Sequence, residues 1–296
     1  MPNVHVEPEK RVVQAEESRS LLDALKQAGI DITHACGGRA RCSTCRVAVV
    51  EGLERCEARN EAEEAMARKL SLGDDIRLAC QTRVTGEVAV RRLVLDEVDL
   101  KLASQRVALG AAVGRDAELA VMFSDVANFT PFSEALTAYD VVHTLDRWFT
   151  VSGDVVERHG GRVDNYMGDG FLAVFEDAER AVDAGLALAD AAAGLSRYTQ
   201  GAFSLPFSTR MGIHWGSVVV GTLGASHNRR STTMGDVVNM AARIEAANKE
   251  LGTTLLVSSD VEARLGDRFA RGRRAELALK GKSGVHALVE ILPPPG

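Results

Sequence analysis

The sequence predicts an α+β protein made of two domains. The chain has 296 residues, and a typical domain has about half that length. Short apolar runs with strand-like alternation are interspersed with stretches of helical periodicity along the chain. Four cysteines are grouped within the first 80 residues, which sets that part of the chain apart. We therefore expect one domain over residues 1–93, a helical linker over 94–116 and a second domain over 117–296.

The composition argues against several classes of protein. The net charge of −6 and the lack of a Lys/Arg run argue against a surface that binds nucleic acid. The sequence has no run of about 18 uncharged apolar residues, so no membrane span is expected. The N-terminal residues lack the basic-then-apolar pattern of a secretory signal, which predicts a cytoplasmic protein. Because disulfides are rare in the cytoplasm, we interpret the cysteines as metal ligands.

Turn and cap residues delimit the elements of the first domain. Valines on either side of a turn at Pro8 predict a hairpin. Ser20 or Ser18 is a suitable N-cap for an amphipathic helix, and Gly29 is a suitable stop. Asn60 begins another helix, and Glu63, three residues on, fits a capping box. The predicted elements are a hairpin over 3–14, helices over 20–29 and 60–70, and strands over 46–50 and 86–90.

The expected linker has apolar residues near helical spacing, with charges between them. Two interpretations of this pattern remain open. The segment pairs with its own copy in a dimer, or it packs on its own domain as a connecting helix. The segment is too short to show a sustained heptad repeat, which would distinguish them.

The second domain alternates strands and helices. An apolar run over 119–124 predicts a strand that ends at Asp125. A turn at Asp169 leads into another apolar run, which predicts the next strand. The remaining predicted elements are helices over 133–159, 177–195 and 236–249, strands over 170–175, 207–216 and 218–220, and an alternating tail over 276–293.

Four cysteines have the spacing of a metal site. Cys36, Cys42 and Cys45 form a C-x5-C-x2-C pattern, and Cys80 follows 35 positions later. Thiolates at such spacing suit zinc or an iron–sulfur cluster. A zinc site usually has two close pairs of ligands, whereas three close thiolates and a distant fourth favour a 2Fe–2S cluster. Small residues in the loop let backbone N–H groups approach the sulfurs and stabilise negative charge there, and the positive charges of Arg39 and Arg41 act in the same direction.

These residues resemble those of 2Fe–2S ferredoxins of the adrenodoxin type, over roughly residues 3–93. The resemblance implies a β-grasp fold. It implies a 2Fe–2S cluster with Cys36, Cys42, Cys45 and Cys80 as ligands. Zinc or an empty site remains the alternative. Cys56 lies outside the pattern, and we expect His34 to have a structural role because four thiolates complete the cluster.

Two aspartates indicate a second site, in the C-terminal domain. Asp125 ends an apolar strand and Asp169 lies in a tight turn. A lone aspartate at such a position is usually a turn or cap residue, but two carboxylates brought together can hold two Mg²⁺ ions. A predicted helix further on places Asn239 and Arg243 four residues apart on one face. This pair suits a ribose and a phosphate.

Five segments in order resemble class III adenylate/guanylate cyclases, over nearly all of residues 117–293. They are residues 123–130, 165–170, 212–216, 232–245 and 279–282. The resemblance implies an α/β sandwich and a homodimer with active sites at its interface. It implies that two Mg²⁺ or Mn²⁺ ions are held by Asp125, Asp169 and the carbonyl of Val126 from one chain. Asn239, Arg243 and Lys280 would come from the other chain.

The same resemblance identifies two positions that select the base. Asn165 stands where adenylate-forming members have a lysine. Thr232 stands where they have Asp or Thr. Guanylate-forming members tend to have Glu and Cys at these places. ATP is therefore the expected substrate, with Asn165 as a donor to the adenine ring.

We interpret the chain as a cytoplasmic, homodimeric adenylate cyclase that acts on ATP. Its N-terminal 2Fe–2S module is expected to set activity through redox state or cluster occupancy, with a redox partner protein. Several alternatives stay open. In one alternative the C-terminal domain is a nucleotide sensor, and in another it is a guanylate cyclase. In a third the chain is an electron carrier with a docking domain, and in a fourth the cluster only supports folding.

Overall fold

The structure, a computed structural model, describes residues 1–93, 114–224 and 230–293. It divides into two compact units, Met1–Arg115 and Asp116–Gly296. The expected helical linker lies outside the described residues except for 114–116, which belong to a strand. In the described ranges, no helix is both long and apolar enough to cross a membrane.

The N-terminal unit is a β-grasp fold, in which helices pack on a mixed sheet. The strand order is β2-β1-β5-β3-β4, with β1 and β5 parallel and the other neighbours antiparallel. Its elements are β1 (Asn3–Glu7), β2 (Arg11–Gln14), α1 (Leu21–Gln27), β3 (Arg46–Glu51), a 3-10 turn (Leu53–Arg55), α2 (Glu61–Leu70), β4 (Ile76–Leu78) and β5 (Val88–Arg92).

Helix α1 anchors the segment that follows β4. Ser20 caps the helix by accepting a hydrogen bond from the N–H of Asp23, as the sequence predicts. The next two N–H groups, of Leu21 and Leu22, donate to the carbonyls of Thr82 and Ala79, each over 2.8 Å. The first N–H groups of a helix have no partner within it, so this contact satisfies them and fixes residues 79–82 against α1.

Helix α2 begins at its predicted N-cap, but the predicted capping box is wrong. Asn60 accepts the N–H of Glu63 over 2.9 Å. The Glu63 carboxylate does not return to Asn60; it is buried and pairs with Arg77 through two bonds of 2.9 and 2.8 Å. It also accepts the N–H of Leu78. A buried arginine at the start of the Cys80 segment outcompetes the local cap because an unpaired buried charge is costly.

The C-terminal unit is a mixed sheet flanked by helices. The order is β12-β13-β11-β9-β6-β8-β7, and β10 pairs with β9. Its elements are β6 (Gly114–Val126), α3 (Phe129–Glu134), α4 (Ala138–Arg158), β7 (Gly161–Met167), β8 (Gly170–Phe175), α5 (Ala178–Phe203), β9 (Thr209–Leu223), β10 (Arg230–Met234), α6 (Asp236–Leu251), β11 (Leu255–Ser258), α7 (Ser259–Glu262), β12 (Ala270–Leu277) and β13 (His286–Leu292).

The main core of this unit lies between the sheet and helices α4 and α5. Trp148 from α4, Leu188 from α5 and Phe171 from β8 are fully buried there. Helix α6 packs closely on β9, because a Cβ atom at Gly212 would lie 2.1 Å from the backbone nitrogen of Glu245. Only glycine permits this approach, which sets where α6 presents its exposed face.

Three predicted boundaries in this unit differ from the structure. The two strands expected over 207–220 form one strand, β9, because its ends pair with different partners, β11 and β10. The helix expected over 133–159 is interrupted before Thr137, whose hydroxyl caps α4. Helix α5 continues to Phe203, eight residues beyond the predicted end at 195.

Candidate functional site

The four cysteines of the motif fall into two pairs. Cys36, Cys42 and Cys45 lie on the loop between α1 and β3, and Cys80 lies just after β4. The side chains of Cys36 and Cys42 are within hydrogen-bonding reach of each other, and so are those of Cys45 and Cys80. Among the described residues, no group of three or more His, Cys, Asp or Glu side chains surrounds one ion position. Two pairs of thiols suit a cluster with two irons better than a single zinc ion.

The environment of these thiols favours thiolates at two of them. The Cys45 thiol donates to Cys80 and lowers the pKa of Cys80 to about 6, although burial opposes the shift. The donation raises the pKa of Cys45, and burial adds to that rise. At Cys36, burial acts to raise the pKa, but backbone N–H groups led by that of Arg41 bring it below its ordinary value. Thiolates are the form that binds metal.

Polar groups surround the sulfurs, among them an expected backbone N–H group and two side chains, of Thr44 and Gln81, that the sequence did not reveal. The N–H of Cys36 donates to the Cys42 sulfur over 3.4 Å. Thr44 lies 3.1 Å from the same sulfur and accepts the N–H of Ala35. Gln81 donates to both the Cys80 sulfur and the carbonyl of Gly38, over 3.4 and 3.1 Å. Such bonds orient ligands and stabilise negative charge on sulfur.

Cys56 and His34 have other partners. The Cys56 thiol is half-buried and lies 4.0 Å from the carbonyl of Gly52. Burial raises its pKa. The ring Nδ1 of His34 lies 2.8 Å from the carbonyl of Ile32.

In the C-terminal unit, Asp125 and Asp169 face each other. Asp125 lies near the end of β6, and Asp169 lies in the turn between β7 and β8. Their carboxyl groups are within hydrogen-bonding reach. Gly170 makes this possible, because a Cβ atom there would lie 2.4 Å from the carbonyl oxygen of Ser124 and 3.1 Å from Asp125 Oδ1.

The pair is electrostatically unfavourable without a cation. Burial raises the pKa of Asp125 to about 7, and Asp169 and Glu245 add to the rise. The N–H of Val126, 3.1 Å from Asp125 Oδ1, opposes it. Like charges at this range disfavour double ionisation. A divalent cation would relieve the repulsion.

Other polar groups that the sequence did not reveal hold this site. The hydroxyl of Thr209 donates to the carbonyl of Asp125 over 2.8 Å and lies 2.9 Å from Ser124 Oγ. Glu245 of α6 is buried, which raises its pKa, and it pairs with Arg210 at 3.4 Å. These contacts link β6, β9 and α6 around the carboxylates. They join residues 35 or more positions apart, which no local pattern reveals.

The predicted phosphate and ribose ligands lie on α6 and after β12. Asn239 and Arg243 are exposed on α6, one turn from each other, and Lys280 is exposed after β12. No hydrogen bond or ion pair in the described ranges joins any of them to Asp125 or Asp169. Lys282, by contrast, pairs with Asp236 at the start of α6.

The two predicted base-selecting residues lie on neighbouring segments. Asn165 is exposed on β7 and Thr232 is half-buried on β10. The hydroxyl of Thr232 lies 3.5 Å from Asp164, the residue before Asn165. The structure therefore brings these two positions close to each other.

Comparison with family models assigns most of the chain. Residues 112–289 match the model described as the adenylate and guanylate cyclase catalytic domain. Residues 4–85 match the model of the 2Fe-2S iron-sulfur cluster binding domain. The two models together support the fusion that the sequence predicts.

Individual relatives agree with this assignment. Adenylate cyclase 1 of Rhizobium meliloti is 34% identical over 183 residues, which are 59% of this chain and 27% of that protein, so this chain spans about a quarter of its length. The crystal structure of the guanylyl cyclase Cya2 is 28% identical, with a TM-score of 0.57, and the match covers 62% of this chain and 95% of that one. The adenylyl cyclase CyaB from P. aeruginosa is 27% identical with a TM-score of 0.56, over 61% and 96%.

A first prediction compares two cysteines. We expect Cys80→Ser to abolish the visible absorbance of the purified protein and to lower its iron and acid-labile sulfide, because one iron loses a thiolate. Cys56→Ser is the control and should leave all three unchanged. Stoichiometric zinc without sulfide in the unmodified protein, or equal effects of both variants, would contradict the assignment.

A second prediction concerns Asp125 without divalent cations. Its pKa rises from 3.8 to about 7 on folding. The folded state then holds a proton that the unfolded chain has lost, so stability falls as the pH rises from about 4 to 7 and the penalty is complete above 7. In the presence of a metal chelator at pH 8, Asp125→Asn should unfold at a higher temperature than the unmodified chain. At pH 5 the difference between the two unfolding temperatures should be smaller. Asp190→Asn, an exposed aspartate on α5, is the control. Thermal unfolding is followed by circular dichroism at each pH. If the unfolding temperature of Asp125→Asn varied with pH as steeply as that of the unmodified chain, the prediction would be wrong.

Proposed function

This chain belongs to the family of adenylate and guanylate cyclase catalytic domains, and we propose that it converts ATP to 3′,5′-cyclic AMP and pyrophosphate. The observation that carries the proposal is the pair of facing carboxyl groups, Asp125 and Asp169, at adjoining strand ends of a cyclase fold. The sequence keeps three further functional residue types of the family, Asn239, Arg243 and Lys280, and departs from the family at Asn165. A sensor without activity would not need all of them.

The residues present suit divalent cations. Two carboxylates and a nearby carbonyl are hard oxygen ligands of the kind that Mg²⁺ and Mn²⁺ prefer. Asp125 and Asp169, with the carbonyl of Val126, would hold two such ions, and the triphosphate would supply further oxygens. When bound, the ions lower the pKa of the ribose 3′-hydroxyl and neutralise charge on the phosphates.

The remaining steps fall to side chains of a second copy of the chain. Asn239 hydrogen-bonds the ribose and orients its 3′-hydroxyl toward the α-phosphate. Arg243 stabilises the charge that grows on the α-phosphate, and Lys280 binds the terminal phosphates. Since residues of these types come from the second chain in the cyclase family, the proposal includes a homodimer with composite sites.

The base is selected by Asn165 and Thr232. The amide of Asn165 donates to the adenine ring in place of the lysine of other adenylate-forming members. Neither residue is the Glu or Cys of guanylate-forming members. Guanylate cyclase activity is the second candidate, since Cya2, a guanylyl cyclase, is among the similar structures.

We propose that the N-terminal domain binds a 2Fe–2S cluster whose redox state or occupancy sets cyclase activity. The support is the covalent connection of the two domain types in one chain. The change would act through the placement of two catalytic domains in a dimer, a rigid-body movement that other switches use. A redox partner protein would exchange electrons with the cluster.

A third prediction tests the enzyme and its dimer together. Asp125→Ala and Arg243→Ala should each lower cyclic AMP formation by roughly 10²-fold or more. An equal mixture of the two variant chains should recover about a quarter of the unmodified rate, because half of the dimers are mixed and each holds one intact site. Lys249→Ala, on the same helix as Arg243 and exposed, is the control. Product formation from GTP but not ATP would favour the second candidate, and a mixture that stays inactive would refute composite sites.

A fourth prediction isolates the role of the cluster. ATP turnover is measured on oxidised protein, on dithionite-reduced protein and on cluster-free protein. We expect the rates of the oxidised and reduced forms to differ by several-fold, and Cys80→Ser to lose this difference. Equal rates in all three forms would remove the regulatory proposal and leave the cyclase proposal intact. Equal rates in both redox states with loss only in the cluster-free form would indicate a structural cluster.

A further inference from the structure

Asp164, which precedes Asn165 on β7, connects two strands through its side chain. The side chain is fully buried. Its carboxylate accepts the backbone N–H of Thr233 over 2.8 Å and the hydroxyl of Thr233 over 2.9 Å. Thr233 lies on β10 and is itself buried. The two bonds fasten β7 to β10 at this point, although Asp164 and Thr233 are 69 positions apart in sequence.

A bulge in β7 accompanies this contact. The pairing of β7 with β8 shifts register between Val163 and Asn165, which leaves Asp164 as the extra residue. A bulged residue is released from the ladder and its side chain is re-aimed. Asp164 thereby reaches β10.

Arg162 completes the network. Its guanidinium donates to Asp164 Oδ1 over 2.6 Å and to the Thr233 hydroxyl oxygen over 3.2 Å. The buried carboxylate is therefore paired with a cation and has hydrogen-bond donors on both oxygens. A buried charge that is fully satisfied in this way gives a rigid connection, whereas one that loses a partner is destabilising.

We propose that Asp164 is a positioning residue for base recognition, which rests on the proposed cyclase function. Asn165 directly follows Asp164, and Thr232 directly precedes Thr233. Consecutive Cα atoms are about 3.8 Å apart, so fastening residue 164 to residue 233 also fixes the backbone spacing between residues 165 and 232. The bond of 3.5 Å from the Thr232 hydroxyl to Asp164 adds to this.

The chemistry of the two base-selecting residues explains why such a connection matters. An asparagine amide has both donors and an acceptor, and a threonine hydroxyl both donates and accepts. Either side chain can therefore satisfy adenine or guanine by turning. Because their hydrogen-bonding groups do not discriminate, selectivity must come from where they are held. Loosening the connection should weaken the preference for one base.

The test uses Thr233→Val in the full chain, which keeps the shape of the side chain and removes its hydroxyl. We expect the ratio of kcat/KM for ATP to that for GTP to fall about tenfold, the size of one lost hydrogen bond to a charged group. The loss should fall mainly on KM for ATP. Thr233→Ser retains the hydroxyl and should restore the ratio, and Asp164→Asn should lower it like Thr233→Val.

The control is Thr199→Val, which removes another buried threonine hydroxyl. Thr199 lies on α5, and its hydroxyl donates to the carbonyl of Leu205, just beyond the C-terminal end of that helix. General destabilisation lowers both nucleotides' rates and leaves their ratio unchanged. A folded Thr233→Val protein with an unchanged ratio, or an equal fall in Thr199→Val, would overturn the positioning role. If the unmodified chain turned over neither nucleotide, the proposed function would fail. The positioning role would then be tested by the ratio of the dissociation constants of ATP and GTP, compared between the unmodified chain, Thr233→Val and Thr199→Val. A chain that binds neither nucleotide would overturn both.

Discussion

Two carboxyl groups that share one partly buried site constrain how the C-terminal unit folds. Asp125 and Asp169 lie close enough that one raises the pKa of the other, and the strand ends that carry them meet only because residue 170 is glycine. Folding therefore works against electrostatic repulsion at this point. The hydroxyl of Thr209 holds the Asp125 backbone in place, while the buried Glu245 adds negative charge to the site. A bound divalent cation would relieve this repulsion, as the proposed action on a metal–nucleotide complex requires.

The N-terminal unit meets a related problem with different groups. Thiolates carry negative charge, and the unit supplies N–H donors to two of the four sulfurs. The N–H of Cys36 and the amide of Gln81 each point at a sulfur. Helix α1 holds the Cys80 segment by donating to its carbonyls. The buried pair of Glu63 and Arg77 holds the strand that leads into it. Local and distant parts of the chain are thus fixed around four sulfurs.

Local spacing made a large part of this predictable. Three cysteine ligands lie within ten residues, and the caps at Ser20 and Asn60 act over three residues, so the sequence displays them directly. Contacts between distant residues were not predictable. Glu63 has the spacing of a capping box, yet its carboxylate bonds to a residue 14 positions on. A one-residue bulge changes the apolar periodicity of a strand too little to be recognised in the sequence, so the contact of Asp164 with β10 could not be predicted. The sequence predicts two strands, over 207–216 and 218–220, where the structure has the single strand β9, because glycine, here Gly216, is a common turn residue.

The network around Asp164 also bears on how a lysine can be replaced at a base-selecting position. A lysine brings a charge that acts over several ångströms and a long stem that adapts to its target. Asparagine has neither property, and its hydrogen bonds weaken steeply with distance and angle. A chain that carries Asn165 therefore gains more from a fixed backbone than a chain with lysine would. The buried carboxylate of Asp164 supplies that rigidity without touching the nucleotide, since no part of its side chain is exposed. Selectivity in this chain then depends on the β7–β10 spacing, and the loss of the lysine charge does not by itself imply the loss of preference for adenine.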